Sequence, residues 1–327
     1  MKTLSVAIVQ GGPSTEAEVS RSSAKGISQA LLHSGHRVVC LELVPTLAET
    51  LRTGAFDVVF PIAHGAVGED GALQGLLEVL DIPYVGSGVL ASALAMDKRR
   101  ARQLFACEGL PLAPGLALAR GDSTSLAHRV RDEIGKGVVV KPSSHGSAIG
   151  VRRIEADAPL REVAEALKDV WLLDPIALVE HFAKGREITC GVLDLDEPVA
   201  FSPTEIVAPH DDFYTYRARY AAGRSQHQCP AALSESLTKR VRDIAVAAHR
   251  ALGCRDLSRV DFVIGDLEDL DCITLLEVNT LPGFTSTSLY PEAAAVAGFP
   301  IHELCEALVQ KAYARGPTPR HAPLPLP

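Results

Sequence analysis

Four polar side chains recur at a spacing of two residues within the stretch 259–289. Arg259 and Asp261 lie in one apolar run, and Glu277 and Asn279 lie in the next. Side chains two residues apart on a β-strand point to the same face. If the two strands pair with those faces together, two carboxylates and an amide oxygen converge beside a guanidinium, which suits a hard cation such as Mg²⁺. The same spacing also fits the solvent face of an antiparallel sheet.

The turn that follows the second strand favours a functional site over a plain solvent face. It reads Asn279-Thr280-Leu281-Pro282-Gly283, and proline followed by glycine is typical of a sharp turn. Glycine has no side chain, so backbone N–H groups can approach a ligand closely at Gly283.

Composition limits the classes of function. The chain has 327 residues, of which 47% are hydrophobic and 22% are charged, as expected for a globular protein of two or three domains. A net charge of −8 argues against nucleic-acid binding. Seven scattered cysteines without a C-x-x-C pair suit reduced thiols in the cytoplasm. No apolar stretch approaches the ~18 residues that span a membrane, so we expect neither a nucleic acid nor a membrane as partner.

Two loops have the composition of anion-binding segments. The loop at 10–15 joins an apolar strand to a helix, but it lacks the common phosphate-loop patterns and also fits a plain strand-to-helix turn. The loop at 143–150 is rich in small residues and follows a strand that ends in Lys141. Its N–H groups could close over phosphates while the lysine supplies a point charge. The alternative is a flexible Ser/Gly hairpin.

Three further stretches fit either a ligand contact or an ordinary surface. His64 opens a glycine-rich loop after a buried strand, where open α/β sheets place ligands, although a hydrogen-bonded loop histidine would look the same. Glu180, Phe182 and Glu187 could hold a base and a ribose, but any linker could have this composition. The stretch 210–220 is polar and aromatic, which favours a lid or binding loop.

The order of the predicted elements indicates an α/β protein of three units and a tail. A βαβ-type unit covers 1–97, a second unit covers 98–183, and a third covers 184–315. The Pro-rich tail at 316–327 is expected to be disordered. Helices are expected at 16–33, from 71 onward, at 97–107, 123–134, 160–170, 234–252 and 291–298, and up to residue 314. Strands are expected at 4–9, 37–43, 57–62, 138–141, from 151, at 176–180, 186–193 and 199–207, and in the pair that carries Asp261 and Glu277.

Seven long motifs follow one another along the chain. They are GGPSTEAEVS at 11–20, HGAVGEDGALQG at 64–75, PYVGSGVLASALAMDK at 83–98, VVVKPSSHGSAIGV at 138–151, FYTYRARY at 213–220, SRVDFVI at 258–264 and LLEVNTLPGFTSTSL at 275–289. Together they resemble the D-alanine–D-alanine ligases, members of the ATP-grasp superfamily, over nearly all of residues 4–312. The resemblance implies a three-lobed ATP-grasp fold with an N-terminal substrate lobe, and ATP between the central and C-terminal lobes.

The resemblance also implies roles for individual residues. It assigns ATP binding to Lys98, Lys141, Ser147, Glu180, Phe182, Glu187, Phe213 and Arg219. It assigns two Mg²⁺ ions, with Mn²⁺ as a substitute, to Asp261, Glu277 and Asn279. It assigns D-alanine binding to Glu16, His64, Arg259, Gly283, Ser288 and Leu289. It assigns the catalytic role to Glu16, Ser147, Tyr220, Arg259, Gly283 and Ser288.

Within this set, two groups have a defined task. Arg259 and the Gly283 N–H would form an oxyanion hole, which stabilises the negative oxygen of a tetrahedral intermediate. Glu16, Ser147 and Tyr220 would tie the loops shut over the site. A tyrosine at position 220 accompanies dipeptide synthesis in this family, whereas phenylalanine accompanies depsipeptide synthesis with D-lactate.

The implied reaction is the ATP-dependent ligation of two D-alanines through an acyl phosphate, for peptidoglycan precursors, by a homodimer. Arg219 stands where the family commonly has lysine, and Ala148 stands where it commonly has serine. We expect both departures to affect rate and nucleotide affinity more than reaction class.

Other functions stay open at this point. A related ligase could use D-lactate, D-serine or a secondary-pathway amino acid as its second substrate. A different class would be a catalytically silent nucleotide-binding protein, and a third would be an ATP-grasp carboxylase that uses bicarbonate.

Overall fold

The computed structural model describes residues 2–207, 226–265 and 272–317. Phe213, Arg219 and Tyr220, together with the rest of the predicted lid at 210–220, lie outside the described residues. So do residues 318–327, which form most of the predicted tail.

Thirteen strands and ten helices occur in the described ranges. The strands are β1 Ser5–Gln10, β2 Arg37–Glu42, β3 Val58–Pro61, β4 Gly115–Ala119, β5 Val138–Pro142, β6 Arg152–Ile154, β7 Ile176–His181, β8 Arg186–Asp194, β9 Pro198–Ala200, β10 Thr204–Val207, β11 Gln226–Gln228, β12 Asp256–Ile264 and β13 Ile273–Asn279. The helices are α1 Ala17–His33, α2 Leu47–Thr53, α3 Ala72–Val79, α4 Val89–Met96, α5 Lys98–Cys107, α6 Ser123–Glu133, α7 Leu160–Val170, α8 Glu235–Leu252, α9 Leu289–Val296 and α10 Ile301–Arg315. None of these helices is long and apolar enough to cross a membrane.

The first sheet is parallel, with strand order β2-β1-β3. Parallel strands bring their carboxyl ends to one edge, and loops that follow that edge commonly hold ligands. The loop after β1 leads to Glu16 at the start of α1, and the loop after β3 contains His64. The topology therefore places both residues at the same edge of this sheet.

The second sheet is antiparallel, with strand order β4-β7-β5-β6. Helices α6 and α7 cover one face, where Val130, Val163 and Leu167 pack against Val140 and Val179 of the strands. The opposite face carries Lys141. The amphipathic pattern of α7 is strong enough that the sequence prediction matches its bounds, 160–170, residue for residue.

The third sheet is antiparallel, with strand order β11-β10-β8-β12-β13 and β9 beside β8. Helix α8 covers one face, through Leu237, Val241 and Ile244. Helix α5 joins the same core through Ala101 and Phe105, although it follows directly after the first sheet's unit in sequence.

The C-terminal helices return to the first sheet. Leu304 and Leu308 of α10 pack with Ile8 of β1 and Ile27 of α1. Residues of the third sheet, among them Leu257, belong to the same cluster. The first and third sheets thus share a hydrophobic core, which fixes their relative position.

The structure corrects several predicted elements. The single strand expected at 199–207 is two strands, β9 and β10, because Pro203 lies between them and has no N–H to donate to a ladder. Helix α9 begins at Leu289, two residues before the expected start. Helices α2 and α4 and strands β4 and β11 were not predicted.

Candidate active site

The pairing of β12 with β13 brings the four polar residues of these strands to one face. Arg259 lies opposite Asn279, and Asp261 lies opposite Glu277. Side chains of directly opposite residues in an antiparallel pair share a face. This pairing meets the condition under which the sequence analysis expected the four polar side chains to converge.

A β-bulge follows immediately and changes the alternation along β13. Asp261 pairs with Glu277, but the next residue, Phe262, pairs with Leu275, so Leu276 is the extra residue. Leu275 is fully buried, whereas Leu276 and Glu277 are half-buried and line the same cavity. Bulges commonly redirect side chains near active sites, and this one turns an apolar and an acidic side chain to the ligand side together.

The carboxylate of Asp261 is held from two directions. Arg259 donates from Nε to Oδ1 and from Nη2 to Oδ2, both at 2.8 Å. Thr189 on β8 donates from Oγ1 to Oδ1 at 2.6 Å. The side chains of the ion pair are only 10% and 13% exposed. This two-point, charge-assisted contact fixes the orientation of both side chains.

The oxygen donors on this face suit a hard cation. Asn279 Oδ1 accepts from the Leu281 N–H at 2.8 Å, and Glu277 Oε2 lies 3.3 Å from Lys98 Nζ. Mg²⁺ usually takes one or two carboxylates and completes its shell with water and phosphate oxygens. Two carboxylates and an amide therefore fit it. Within the described ranges no cluster of three or more His, Cys, Asp or Glu side chains is placed to hold a metal.

An open cavity of about 420 Å³ lies beside the strand pair. Its lining includes the carboxylates of Glu16 and Glu69 and the cations of Lys98 and Arg259. Charges of both signs in one cavity match a zwitterion, because the ammonium and the carboxylate of a free amino acid each need a partner. The first cavity is therefore suited to amino acids.

The 143–150 loop closes part of the first cavity. Ser147 donates a short hydrogen bond from Oγ to Glu16 Oε1, and both residues are buried. Ser147 and Ala148 have φ values of 51° and 56°, a left-handed conformation that non-glycine residues rarely adopt and that clusters at ligand sites. The contact joins the loop of the second sheet to the first helix.

His64 is buried and lines the first cavity. Its Nδ1 lies 3.8 Å from Glu69 Oε2, and Glu69 Oε1 accepts from the Gly65 N–H at 2.9 Å. Its Nε2 has no hydrogen-bond partner among the residues that the structure describes. Glu69 was missed at the sequence level, because its contribution depends on the loop bending back on itself.

The Pro-Gly turn and the start of α9 line the same cavity. Gly283, Ser288 and Leu289 are all part of its lining. Ser288 Oγ accepts from the Thr285 N–H at 2.9 Å, which holds the turn against the helix. The N-terminus of a helix favours a negative charge, so the Ser288–Leu289 end of α9 suits a carboxylate.

A second cavity, of about 150 Å³, adjoins the first. Its apolar lining includes Val139, Ile149, Val151, Phe182, Ala183, Val263 and Leu276. Its polar lining includes Lys141, Glu180 and Glu187. The guanidinium of Arg153 stacks on the Phe182 ring, 4.1 Å from its centroid. Apolar walls with a few polar groups are typical of a pocket for a planar base.

Lys98 belongs to the lining of both cavities. Its Nζ donates to the His145 carbonyl oxygen at 2.7 Å. The residue before it, Asp97, caps helix α5. Burial alone would raise the pKa of Asp97, but hydrogen bonds, the largest from Ser143, outweigh burial and hold this pKa below its ordinary value. The carboxylate therefore stays charged and anchors the helix that presents Lys98.

Most of the predicted site residues line one or both of the two cavities. The first cavity is lined by Glu16, His64, Lys98, Ser147, Arg259, Glu277, Asn279, Gly283, Ser288 and Leu289. The second is lined by Lys98, Lys141, Ser147, Glu180, Phe182, Glu187 and Glu277. Asp261 is not part of either lining; its carboxylate is bonded by Arg259, which lines the first cavity. Phe213, Arg219 and Tyr220 are outside the described residues.

Family models match most of the chain. The model described as D-ala D-ala ligase C-terminus matches residues 104–310, and the one described as D-ala D-ala ligase N-terminus matches residues 46–87.

Individual proteins resemble the chain over nearly its whole length. A D-alanine–D-alanine ligase from Geotalea uraniireducens is 43% identical over 312 residues, covering 95% of this chain and 96% of that protein. The crystal structure of the VanG D-Ala:D-Ser ligase from Enterococcus faecalis superposes with a TM-score of 0.81 at 28% identity, over 95% of this chain and all of the other. A D-alanine–D-alanine ligase from Bacillus anthracis, complexed with ATP, superposes with a TM-score of 0.79 at 26% identity, over 96% and 98%. The chain belongs to the D-alanine–D-alanine ligase family, with its ATP-grasp fold.

Proposed function

We infer that this protein joins two molecules of D-alanine into D-alanyl-D-alanine, with conversion of ATP into ADP and phosphate, for peptidoglycan synthesis. Family membership supports the reaction. One structural observation carries it: a cavity lined by charges of both signs adjoins a mainly apolar cavity, and Lys98 lines both. The first suits amino acids and the second suits a nucleotide.

In the first step, the carboxylate of one D-alanine attacks the γ-phosphorus of ATP, which gives an acyl phosphate and ADP. We propose that Glu16 binds the ammonium of this D-alanine, because its carboxylate lines the first cavity beside Ser147. Lys98 and Lys141 would hold the phosphates, since phosphoryl transfer depends on positioning and on neutralising charge. Mg²⁺, bound by Asp261, Glu277 and Asn279, would neutralise further phosphate charge.

In the second step, the neutral amine of the other D-alanine attacks the acyl carbon and phosphate leaves. Arg259 and the Gly283 N–H would donate to the oxygen that becomes negative in this step. Losing one such donor typically costs ~10²–10³-fold in rate. Ser288 and Leu289 would bind the carboxylate of the second D-alanine at the N-terminus of α9.

The choice of second substrate is the finer part of the proposal. The likeness to the VanG D-Ala:D-Ser ligase keeps D-serine as the alternative. We propose D-alanine, because the resemblance assigns Tyr220 to dipeptide synthesis and the more identical relative is a D-alanine–D-alanine ligase.

Three further features complete the proposal. We propose lobes at 1–97, 98–183 and 184–315, and a homodimer, from the family resemblance. All seven cysteines are free thiols, and with the use of ATP this favours the cytoplasm as the compartment.

The test is phosphate release and product analysis with a panel of D- and L-amino acids and D-lactate. We expect D-alanine alone to support release, with one dipeptide formed per phosphate. D-serine as the preferred acceptor would favour the alternative. Phosphate release that depends on bicarbonate, or ATP binding without any product, would contradict the ligase function.

A further inference from the structure

Three charged side chains form a buried cluster behind the second cavity. The carboxylate of Glu180 on β7 bonds Lys141 through Oε2 and Arg102 through Oε1, both at short distance. The side chains are 6% exposed for Glu180, 12% for Lys141 and 13% for Arg102. Glu180 and Lys141 line the second cavity, but Arg102 is not among its lining residues.

Arg102 is held in this position by the backbone around it. It lies on α5, and its Nη2 donates to the carbonyl oxygen of Ala113 at 2.5 Å. A Cβ atom at Gly115 would lie 3.0 Å from Arg102 Nη2 and 3.1 Å from Glu180 Cγ. The ion pair thus packs closely against Gly115, where a larger residue would require Arg102 or Glu180 to shift.

The charges of the cluster decide what Lys141 can do for a phosphate. Lys141 and Glu180 alone sum to zero, so a carboxylate this close would cancel the charge that a phosphate needs. Arg102 brings the sum to +1 and takes one oxygen of Glu180 for itself. Because the cluster is buried, solvent screens these charges only weakly.

We propose that Arg102 is a positioning residue for the triphosphate of ATP: it neutralises Glu180, so that the charge of Lys141 remains available to the phosphates. The proposal rests on the proposed function only in taking the second cavity as the ATP site. It assigns Arg102 no direct contact with the nucleotide.

The test compares Arg102→Gln with Arg102→Lys by calorimetric titration with two probes, tripolyphosphate and adenosine, at a fixed Mg²⁺ concentration. Arg102→Gln loses one buried positive charge and should weaken tripolyphosphate binding about tenfold or more. Its affinity for adenosine should stay within about twofold of the wild type, since adenosine carries no charge. Arg102→Lys keeps the charge and should recover most of the loss.

In steady-state kinetics of Arg102→Gln, KM should rise for ATP but not for D-alanine. Arg100→Gln is the matched control, because Arg100 lies on the same helix and is exposed.

The double variant Arg102→Gln/Glu180→Gln keeps the test decisive if Arg102→Gln alone does not fold. It removes both charges and again leaves +1, so tripolyphosphate, which has no base or ribose for Glu180 to contact, should bind within about threefold of the wild type. Adenosine is not a probe for this variant, because Glu180 is assigned to ATP binding. Any of three results would overturn the proposal. Arg102→Gln and Arg102→Lys could lose the same tripolyphosphate affinity, the two probes could lose the same affinity, or the double variant could fail to recover tripolyphosphate binding. A wild-type protein that binds neither ATP nor tripolyphosphate would instead contradict the assignment of the second cavity.

Discussion

Gly283→Ala is the substitution that probes the acceptor side of the site most sharply. A Cβ at this position would lie 2.9 Å from Ser288 Oγ, so the serine hydroxyl must move. That hydroxyl is bonded to the Thr285 N–H at 2.9 Å and to Thr285 Oγ1 at 2.8 Å. Losing one or both bonds should lower the free energy of unfolding by about 1–2 kcal/mol.

The catalytic effect should be much larger than the effect on stability. Displacing a group that positions the substrate by about 1 Å can lower the rate roughly 10²-fold. We therefore expect kcat/KM for D-alanine to fall roughly 10²-fold, while calorimetric ATP affinity stays unchanged.

Gly75→Ala is the control for this substitution. A Cβ at Gly75, within helix α3, meets only Val89 Cγ2 at 3.9 Å, and alanine is the better helix former by about 0.5–1 kcal/mol. This variant should keep full activity and should unfold at a slightly higher temperature. If Gly283→Ala ligates D-alanine within about twofold of the wild-type rate, the turn does not position the acceptor.

Three more substitutions test other parts of the site. Asp261→Asn removes the charge that Arg259 bonds and should weaken Mn²⁺ binding, measured by electron paramagnetic resonance, by about tenfold or more. Glu16→Gln replaces the charged partner of Ser147 and should raise KM for D-alanine by about tenfold or more, with KM for ATP little changed. Tyr220→Phe should gain D-alanyl-D-lactate synthesis, measured by product analysis with D-alanine and D-lactate at equal concentration, because the family links phenylalanine at this position to depsipeptides.

Each of these has an outcome that would contradict it. Unchanged Mn²⁺ binding in Asp261→Asn would remove this carboxylate from the metal site. Equal increases in both KM values would mean that Glu16 shapes the whole site rather than holding an amino acid. A wild-type protein that already makes mainly D-alanyl-D-lactate at neutral pH would show that the assignment of Tyr220 is wrong.

The sequence predicted best where one periodic pattern decides the structure. The α/β class followed from the order of apolar patterns, the ATP-grasp fold from the resemblance of seven ordered motifs, and the shared face of the polar residues within each strand from the alternation. The shared face could be predicted because side-chain direction on a strand depends only on the count of residues.

Features that depend on contacts distant in sequence were not predicted. The bulge at Leu276 shifts the alternation of β13, and only the partner strand determines where it falls. The contact of Arg102 with Glu180 joins residues 78 positions apart. Helix α4 was missed because all but one of its eight residues are apolar, so the sequence shows no apolar stripe opposite a polar face.

The most direct test of phosphoryl transfer between the two cavities follows oxygen atoms. D-alanine labelled with ¹⁸O in its carboxylate is incubated with ATP and Mg²⁺, and the released phosphate is analysed by mass spectrometry. If the carboxylate attacks the γ-phosphorus, one labelled oxygen should pass to phosphate for each dipeptide formed. Dipeptide formation with unlabelled phosphate would contradict an acyl phosphate, and with it the roles inferred for both cavities.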